Sequence, residues 1–232
     1  MNGRIKRQEQ SNPKIPIIGK IKVGMKNERG LPTSLDYFRC ESKYSSYFHK
    51  AYGDTPNKIE VCFFSDDWSD SCNERYECRD KDGRLAGKGD GKNWYLYDSN
   101  EDKYILCHDK EKVKKSGKWD IILTINFIIP KIPGVFGLFS FSTKGKKSSL
   151  KNIRDTFDKV LEMAGTVINV PFDLTVDKVV SQKPGSKFKF PVVNLIPNVS
   201  SESMELIHKY IESGKSIKKI GLINEQKIKL LE

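Results

Sequence analysis

Histidine is nearly missing from this chain, with three in 232 residues, and cysteine is scarce, with five. The histidines, His49, His108 and His208, stand in no recognisable motif with Ser, Cys or Asp. There is no His-Glu-x-x-His and no Gly-x-Ser-x-Gly, so neither a zinc hydrolase nor a serine nucleophile has a sequence to stand on. Cys40, Cys62, Cys72, Cys78 and Cys107 are odd in number and irregularly spaced, which speaks against a disulfide framework and for reduced thiols. Zinc sites favour close pairs such as Cys-x2-Cys. The nearest pair, Cys72 and Cys78, has five residues between its members, and Cys107 and His108 are adjacent. A metal held by Cys62, Cys72, Cys78 and Cys107 would need a convergence in space that this spacing does not supply. No cofactor is expected.

Long apolar runs are also lacking. None approaches the roughly 18 residues of a membrane helix. The longest candidate, Ile121–Pro130, is short and strand-like. The opening "MNGRIKRQEQSNPK" carries basic residues with no apolar stretch behind them, unlike a secretory signal. These absences set the expectation of a cytoplasmic protein with no membrane partner. Nucleotide loops are missing too: Gly137 and Gly145 have seven residues between them, too many for Gly-x4-Gly-Lys-Ser/Thr. The Asp-rich segments lack the Asp-x-Asp-x-Asp-Gly order of a calcium loop.

What the chain does have is positive charge and aromatic residues. Its formal net charge is +11, with 12 Phe, 9 Tyr and 3 Trp to build a core. The charge is uneven. Residues 51–110 carry 9 Lys and Arg against 14 Asp and Glu, while the rest carry 32 against 16. Basic flanks around an acidic centre suit a polyanion or an acidic protein face as partner.

The pattern along the chain predicts α+β: largely antiparallel sheet or sheets, two or three helices on one face, and a β-meander in the N-terminal half. Residues 1–14 read as a flexible basic arm. Residues 15–118 read as a β-rich, acidic-centred subdomain, with a first strand in "IPIIGKIKVGMK", a turn at "NERGLPTS" and a meander over 57–109. "DDWSDSCN" reads as a loop. Residues 119–214 read as an α+β subdomain. "WDIILTINFIIP" and "GVFGLFSFSTKG" are its first strands, the second with Val135, Phe139 and Phe141 on one face. Ser148 or Ser149 is placed to cap a helix whose stripe is Ile153, Phe157, Val160, Leu161 and Ala164, with Gly165 ending it. Strands at 170–181 and 188–198 and a helix over 200–214 follow. Residues 215–232 form a basic tail with room for a short helix.

Three surfaces carry candidate chemistry. The basic turn Lys144, Lys146 and Lys147, with Arg154 and the tail's Lys218 and Lys219, is the candidate contact to DNA or to a protein partner. Phe136, Phe139 and Phe141 beside those lysines either stack single-stranded bases or belong to the core. The acidic segment 66–82, with Asp66, Asp67 and Asp70, either holds a divalent cation or is solvated.

Read in order, "SLDYF" (34–38), "FFSDDWSDSCNERYECRD" (63–80), "GDG" (89–91), "LFSFSTKGKKSSLKNIRDTFDKVLEMAG" (138–165), "VPFDLTV" (170–176) and "FPVVNLIPN" (190–198) resemble the phage and prophage recombination directionality factors of the large type that partners serine integrases. The resemblance runs from about residue 14 to about 198. It implies a non-enzymatic accessory protein with no catalytic residues. Such a protein would bind its cognate large serine integrase at the coiled-coil region, on attachment-site DNA, with room for a weak direct DNA contact of its own. It would allow attL × attR synapsis and inhibit attP × attB. A phage single-stranded nucleic-acid-binding protein and a metal-dependent hydrolase using 66–82 are the alternatives.

Overall fold

A computed structural model of the chain describes residues 15–145, 148–181, 185, 187–217 and 223–228. The expected arm 1–14 and the lysines at 146, 147, 218 and 219 lie outside them. The architecture is α+β, with eleven strands in two sheets among the described residues.

The chain opens with a hairpin, β1 (Ile17–Lys26) and β2 (Pro32–Glu41). Its turn is set by Asn27, whose Oδ1 accepts from the backbone N–H of Arg29 at 3.0 Å and of Leu31 at 2.9 Å. After α1 (Ser45–Tyr52) and β3 (Lys58–Cys62) comes one helical turn, α2 (Trp68–Ser71). Then β4 (Cys72–Arg79), β5 (Leu85–Gly89), β6 (Trp94–Asp98) and β7 (Lys103–Leu106) run as a meander. α3 (Lys110–Lys115) leads to β8 (Trp119–Phe127), which returns to pair with β4, and β9 (Leu138–Thr143) inserts between β8 and β1. The large sheet is therefore ordered β2-β1-β9-β8-β4-β5-β6-β7. Among the described strands only β1 and β9 run parallel.

The second sheet is small and antiparallel. β10 (Pro171–Val180) lies between β11 (Lys189–Pro197) and β3. The meander expected over 57–109 thus begins only at Cys72. The segment before it, "KIEVC", has Ile59, Val61 and Cys62 all buried and pairs with the equally apolar start of β10. Its alternation, with Ile59 and Val61 buried between exposed Lys58 and half-buried Glu60, is that of any half-buried strand and does not by itself tell one sheet from the other. Both sheets also draw strands from either side of residue 118, so that position does not separate one sheet from the other.

The helix α4 (Ser149–Ala164) lies against β11; α5 (Ser201–Glu212) packs on α4, and the short α6 (Glu225–Ile228) on α5. No helix among the described residues is long and apolar enough to cross a membrane. On α4, Ile153, Phe157, Val160 and Ala164 are buried as the stripe predicts, and Leu161 is partly buried. Gly165 adopts φ +70° at its end, where its N–H donates to the Leu161 carbonyl. A side chain there would meet the His208 ring at 3.0 Å. The expected serine cap is not made. Ser148 forms no capping bond through its side chain, and the Ser149 hydroxyl accepts from the Val193 N–H at 2.9 Å, which ties the helix start to β11.

One core joins the two sheets to α1, α4 and α5. Phe38 of β2 meets Phe141 of β9 edge-on at 6.3 Å. Phe63 meets Phe157 of α4 at 5.0 Å and Phe172 of β10 at 5.3 Å, and Trp68 meets Phe157 at 5.1 Å. Each such side chain contributes about 1.5–3 kcal/mol by leaving water. Gly19 sits where β1 crosses this core. A side chain at Gly19 would come within 2.8 Å of the Phe139 ring and 2.7 Å of Ser42 Cβ.

Candidate interaction surface

Alternation along the large sheet sorts its residues onto two faces. Ile21, Leu123, Ile125, Phe139 and Phe141 point inward and are buried. Their neighbours point out. The register sets Lys20 beside both Glu41 and Ser140, Lys22 beside Arg39, Thr124 beside Ser142, Arg75 beside Ile122 and Glu77 beside Asp120. The outer face over β2, β1, β9, β8 and β4 is therefore hydroxyl-rich and charged.

Two hollows run across it. The larger, of about 1340 Å³, lies over β2, β1 and β9 and takes in Lys20, Lys22, Arg39, Glu41 and Lys144. The smaller, of about 310 Å³, is bounded by Lys20, Arg75, Glu77, Arg79 and Lys144 with the hydroxyls of Thr124, Ser142 and Thr143. Lys20, Ser142 and Lys144 belong to both.

Glu77 organises the smaller hollow. Only 4% exposed, it accepts on Oε1 from Arg75 Nε at 2.9 Å and Nη2 at 2.6 Å, and on Oε2 from Arg79 Nη2 at 2.7 Å. Burial pushes its carboxyl up. The hydrogen bonds and charges of the two arginines outweigh that and hold it below its ordinary value of 4.5. Arg79 Nη1 is also bound to the Gly83 carbonyl, at 2.9 Å. Asp120 behaves alike: burial raises its carboxyl, and the bond and charge of Lys144 with the Lys118 charge bring it below its ordinary range. Lys22 pairs with Glu41 at 2.5 Å.

Of the candidate cations, Lys144 lies on this outer face, its Nζ 3.2 Å from Asp120. Arg154 does not. Its Nη1 is 3.7 Å from Glu74 and its Nε 3.9 Å from Asp155. Glu74 sits opposite Leu123, on the inner side of the sheet. The two cations are therefore not one patch. Lys146, Lys147, Lys218 and Lys219 are outside the described residues. Lys20, Arg75 and Arg79 were not among the expected contacts, although the alternation in "GKIKVG" and "ERYECRD" marks them as outward-facing.

The other candidate chemistry resolves differently. Phe139 and Phe141 are 2% and 1% exposed, so these rings are core and not a stacking platform; Phe136 is 78% exposed. The acidic segment is spent locally. Asp66 accepts from the Thr166 hydroxyl at 2.8 Å and the Val167 N–H at 2.7 Å, Asp67 caps α2 through the Ser69 N–H, and Asp70 accepts from Ser65. Among the described residues no group of three or more His, Cys, Asp or Glu is placed to share a metal ion. Cys40, Cys62, Cys72 and Cys78 are buried, and burial pushes the Cys62 thiol up to about 12.

A second surface was not foreseen. Beyond the reach of the core, on its side of the meander, Tyr76, Trp94 and Trp119 line a hollow of about 550 Å³ together with Leu106, Cys107 and Val113. Trp94 is 5.1 Å from Tyr76 and 4.8 Å from Trp119, ring to ring. The Trp119 indole N–H donates to the Val113 carbonyl at 2.9 Å, which anchors it against α3.

No curated protein and no solved structure matches the chain. A family model does, one for Gp3-like, recombination directionality factor-like proteins, over residues 18–198. That span runs from the second residue of β1 to just past β11, so it takes in both sheets, both hollows of the outer face and the aromatic hollow. The chain belongs to the Gp3-like, recombination directionality factor-like family.

Proposed function

We propose that this chain is a phage or prophage directionality factor for a large serine integrase, working in the cytoplasm of a bacterial host. It binds the integrase on attachment-site DNA and turns it from integration, attP × attB, to excision, attL × attR. The observation that carries this reading is the family match across the whole two-sheet scaffold.

The physical requirement is modest. A factor that redirects recombination needs unequal affinity for two integrase conformations, not chemistry of its own. Moving such an equilibrium from 1:99 to 99:1 takes about 5.5 kcal/mol of differential binding. One protein interface with a few aromatic anchors reaches that scale, since single anchors contribute about 2 kcal/mol or more. Trp94, Tyr76 and Trp119 are of the residue types that serve as such anchors, and their hollow is open to the integrase coiled-coil region in this proposal.

The test is recombination in vitro with purified integrase encoded beside this protein. Addition of the protein is expected to start attL × attR recombination and suppress attP × attB. If both reactions proceed at unchanged rates with the protein in excess, the proposal is lost.

A further inference from the structure

The outer face of the large sheet holds more organised positive charge than a solvated surface needs. On and around its two hollows stand six cations, Lys20, Lys22, Arg39, Arg75, Arg79 and Lys144, against three carboxylates, Glu41, Glu77 and the Asp120 that pairs with Lys144. One of those carboxylates is buried beneath the arginines rather than beside them. Glu77 clamps Arg75 and Arg79 from below, while the two side chains keep 42% and 45% of their surface in solvent. Arg75 Nη1 and Arg79 Nε stay outside the bonds to Glu77 and Gly83. Lys20, at the mouth of both hollows, forms no ion pair among the described residues.

We propose that this face binds the phosphodiester backbone of duplex DNA, with Arg75 and Arg79 as its fixed phosphate contact and Lys20 as the next. Arginine suits the task because its planar donors match phosphate oxygens two at a time. Holding the guanidiniums on a buried carboxylate removes much of the side-chain entropy that ordering them on a ligand would otherwise cost. Thr124 and Ser142, whose hydroxyls share one hydrogen bond at 2.8 Å, leave a hydroxyl proton for a phosphate oxygen between the cations. From β2 to β4 the face crosses four strand spacings of about 4.8 Å, roughly 19 Å. That is enough to follow a backbone across several phosphates, since duplex DNA carries one charge per about 1.7 Å of axis.

The same features argue against an acidic protein as the occupant. Protein interfaces centre on aromatic and apolar anchors and are depleted of lysine. Here the smaller hollow is lined by lysine, arginine, serine and threonine around Glu77, with Ile122 its one apolar side chain; Val23, Met25 and Phe188 line only the larger hollow, and the tryptophans sit in a separate hollow on the opposite side of the sheet. Sequence recognition is not implied. These are backbone contacts, which position a protein without reading bases.

The proposal goes beyond the directionality reading and does not depend on it, because its test contains no integrase. Fluorescence anisotropy with a labelled 30-base-pair duplex of arbitrary sequence is measured from 50 to 200 mM salt. The full chain is expected to bind, with log affinity falling linearly in log salt by about 0.9 per phosphate engaged. Arg75→Gln/Arg79→Gln is expected to weaken binding at least tenfold and to flatten the slope by about 2. That variant leaves Glu77 unpaired and could lose its fold. Lys20→Gln touches no ion pair, and it is expected to weaken binding several-fold and to flatten the slope by about 1. Lys159→Gln on α4, whose amine pairs with Glu162 at 3.0 Å, is expected to change neither. Absence of salt-dependent binding by the parent overturns the proposal. So does an equal response of Lys20→Gln and Lys159→Gln. Displacement of the duplex by polyglutamate at equal charge would assign the face to an acidic protein. Displacement by a few millimolar inorganic phosphate, at constant ionic strength, would assign it to a free anion.

Discussion

The two faces of the large sheet are built from the same strands with opposite means. On the inner face, the alternate β9 residues Phe139 and Phe141 join Ile21, Leu123 and Ile125 in a core without charge. On the outer face, Ser140 and Ser142 of the same strand stand between lysines and arginines. Specificity of the inner face comes from volume and edge-to-face ring packing. Specificity of the outer face comes from one buried carboxylate that decides where two guanidiniums lie. A sheet of this kind uses one side to hold the fold together and keeps its charges on the other.

The sharpest way to break that comparison is to treat both faces alike. Phe141→Ala removes a fully buried ring that meets Phe38, and it is expected to cost about 3–5 kcal/mol. Urea unfolding followed by tryptophan fluorescence reads this directly. A loss below about 1 kcal/mol would mean that the inner face is not the core.

Next in size is Glu77→Gln. The carboxylate is held below its ordinary value of 4.5 by Arg75 and Arg79, despite burial. Its stabilising contribution is therefore complete above the unfolded value and is lost as pH falls through it toward the lower folded value. At pH 7 the substitution is expected to cost about 1–3 kcal/mol, the range of hydrogen bonds to charged groups. Below the ordinary value of 4.5 the gap between the parent and the variant should narrow, because the unfolded parent then takes up a proton that the folded one resists. A gap that stays constant from pH 7 to pH 3 would show that Glu77 acts by shape and not by charge.

Much of the inner face was legible in the sequence, because period-2 and period-3.6 apolar patterns report burial. β8, β9, α4 and the β10–β11 hairpin stand where those patterns set them. What escaped has specific causes. α1 has a single buried residue, Phe48, and no side-chain cap, so it leaves no stripe. α3 is capped by Asp109 but is six residues long with one buried residue, Val113. β3 exchanged sheets because strand pairing across 115 residues of chain, as in Ile59 with Leu174, is invisible to a local pattern. The outer face was harder still. Charge counting singled out Lys144 and Arg154, which the fold puts on opposite sides. It passed over Arg75 and Arg79 because they lie in the acidic segment, where their neighbours hid them. Net charge over a window is the wrong quantity when alternation sends adjacent charges to different faces.

The smallest effect completes the comparison. Ser142→Ala lies one residue from Phe141 and removes a hydroxyl whose partner, Thr124, can turn to water. Its cost in stability is expected to stay within about 0.5 kcal/mol, as for other surface substitutions. Its value is in the contrast, since neighbouring positions on one strand should then differ by severalfold in stability. If DNA backbone does lie over this face, the same substitution removes one hydroxyl contact and no charge. Duplex affinity should then fall slightly at every salt concentration while the salt slope stays that of the parent. A changed slope would mean that losing the hydroxyl had moved Lys20 or Lys144, and that the charges of the outer face are held by its hydroxyls as well as by Glu77.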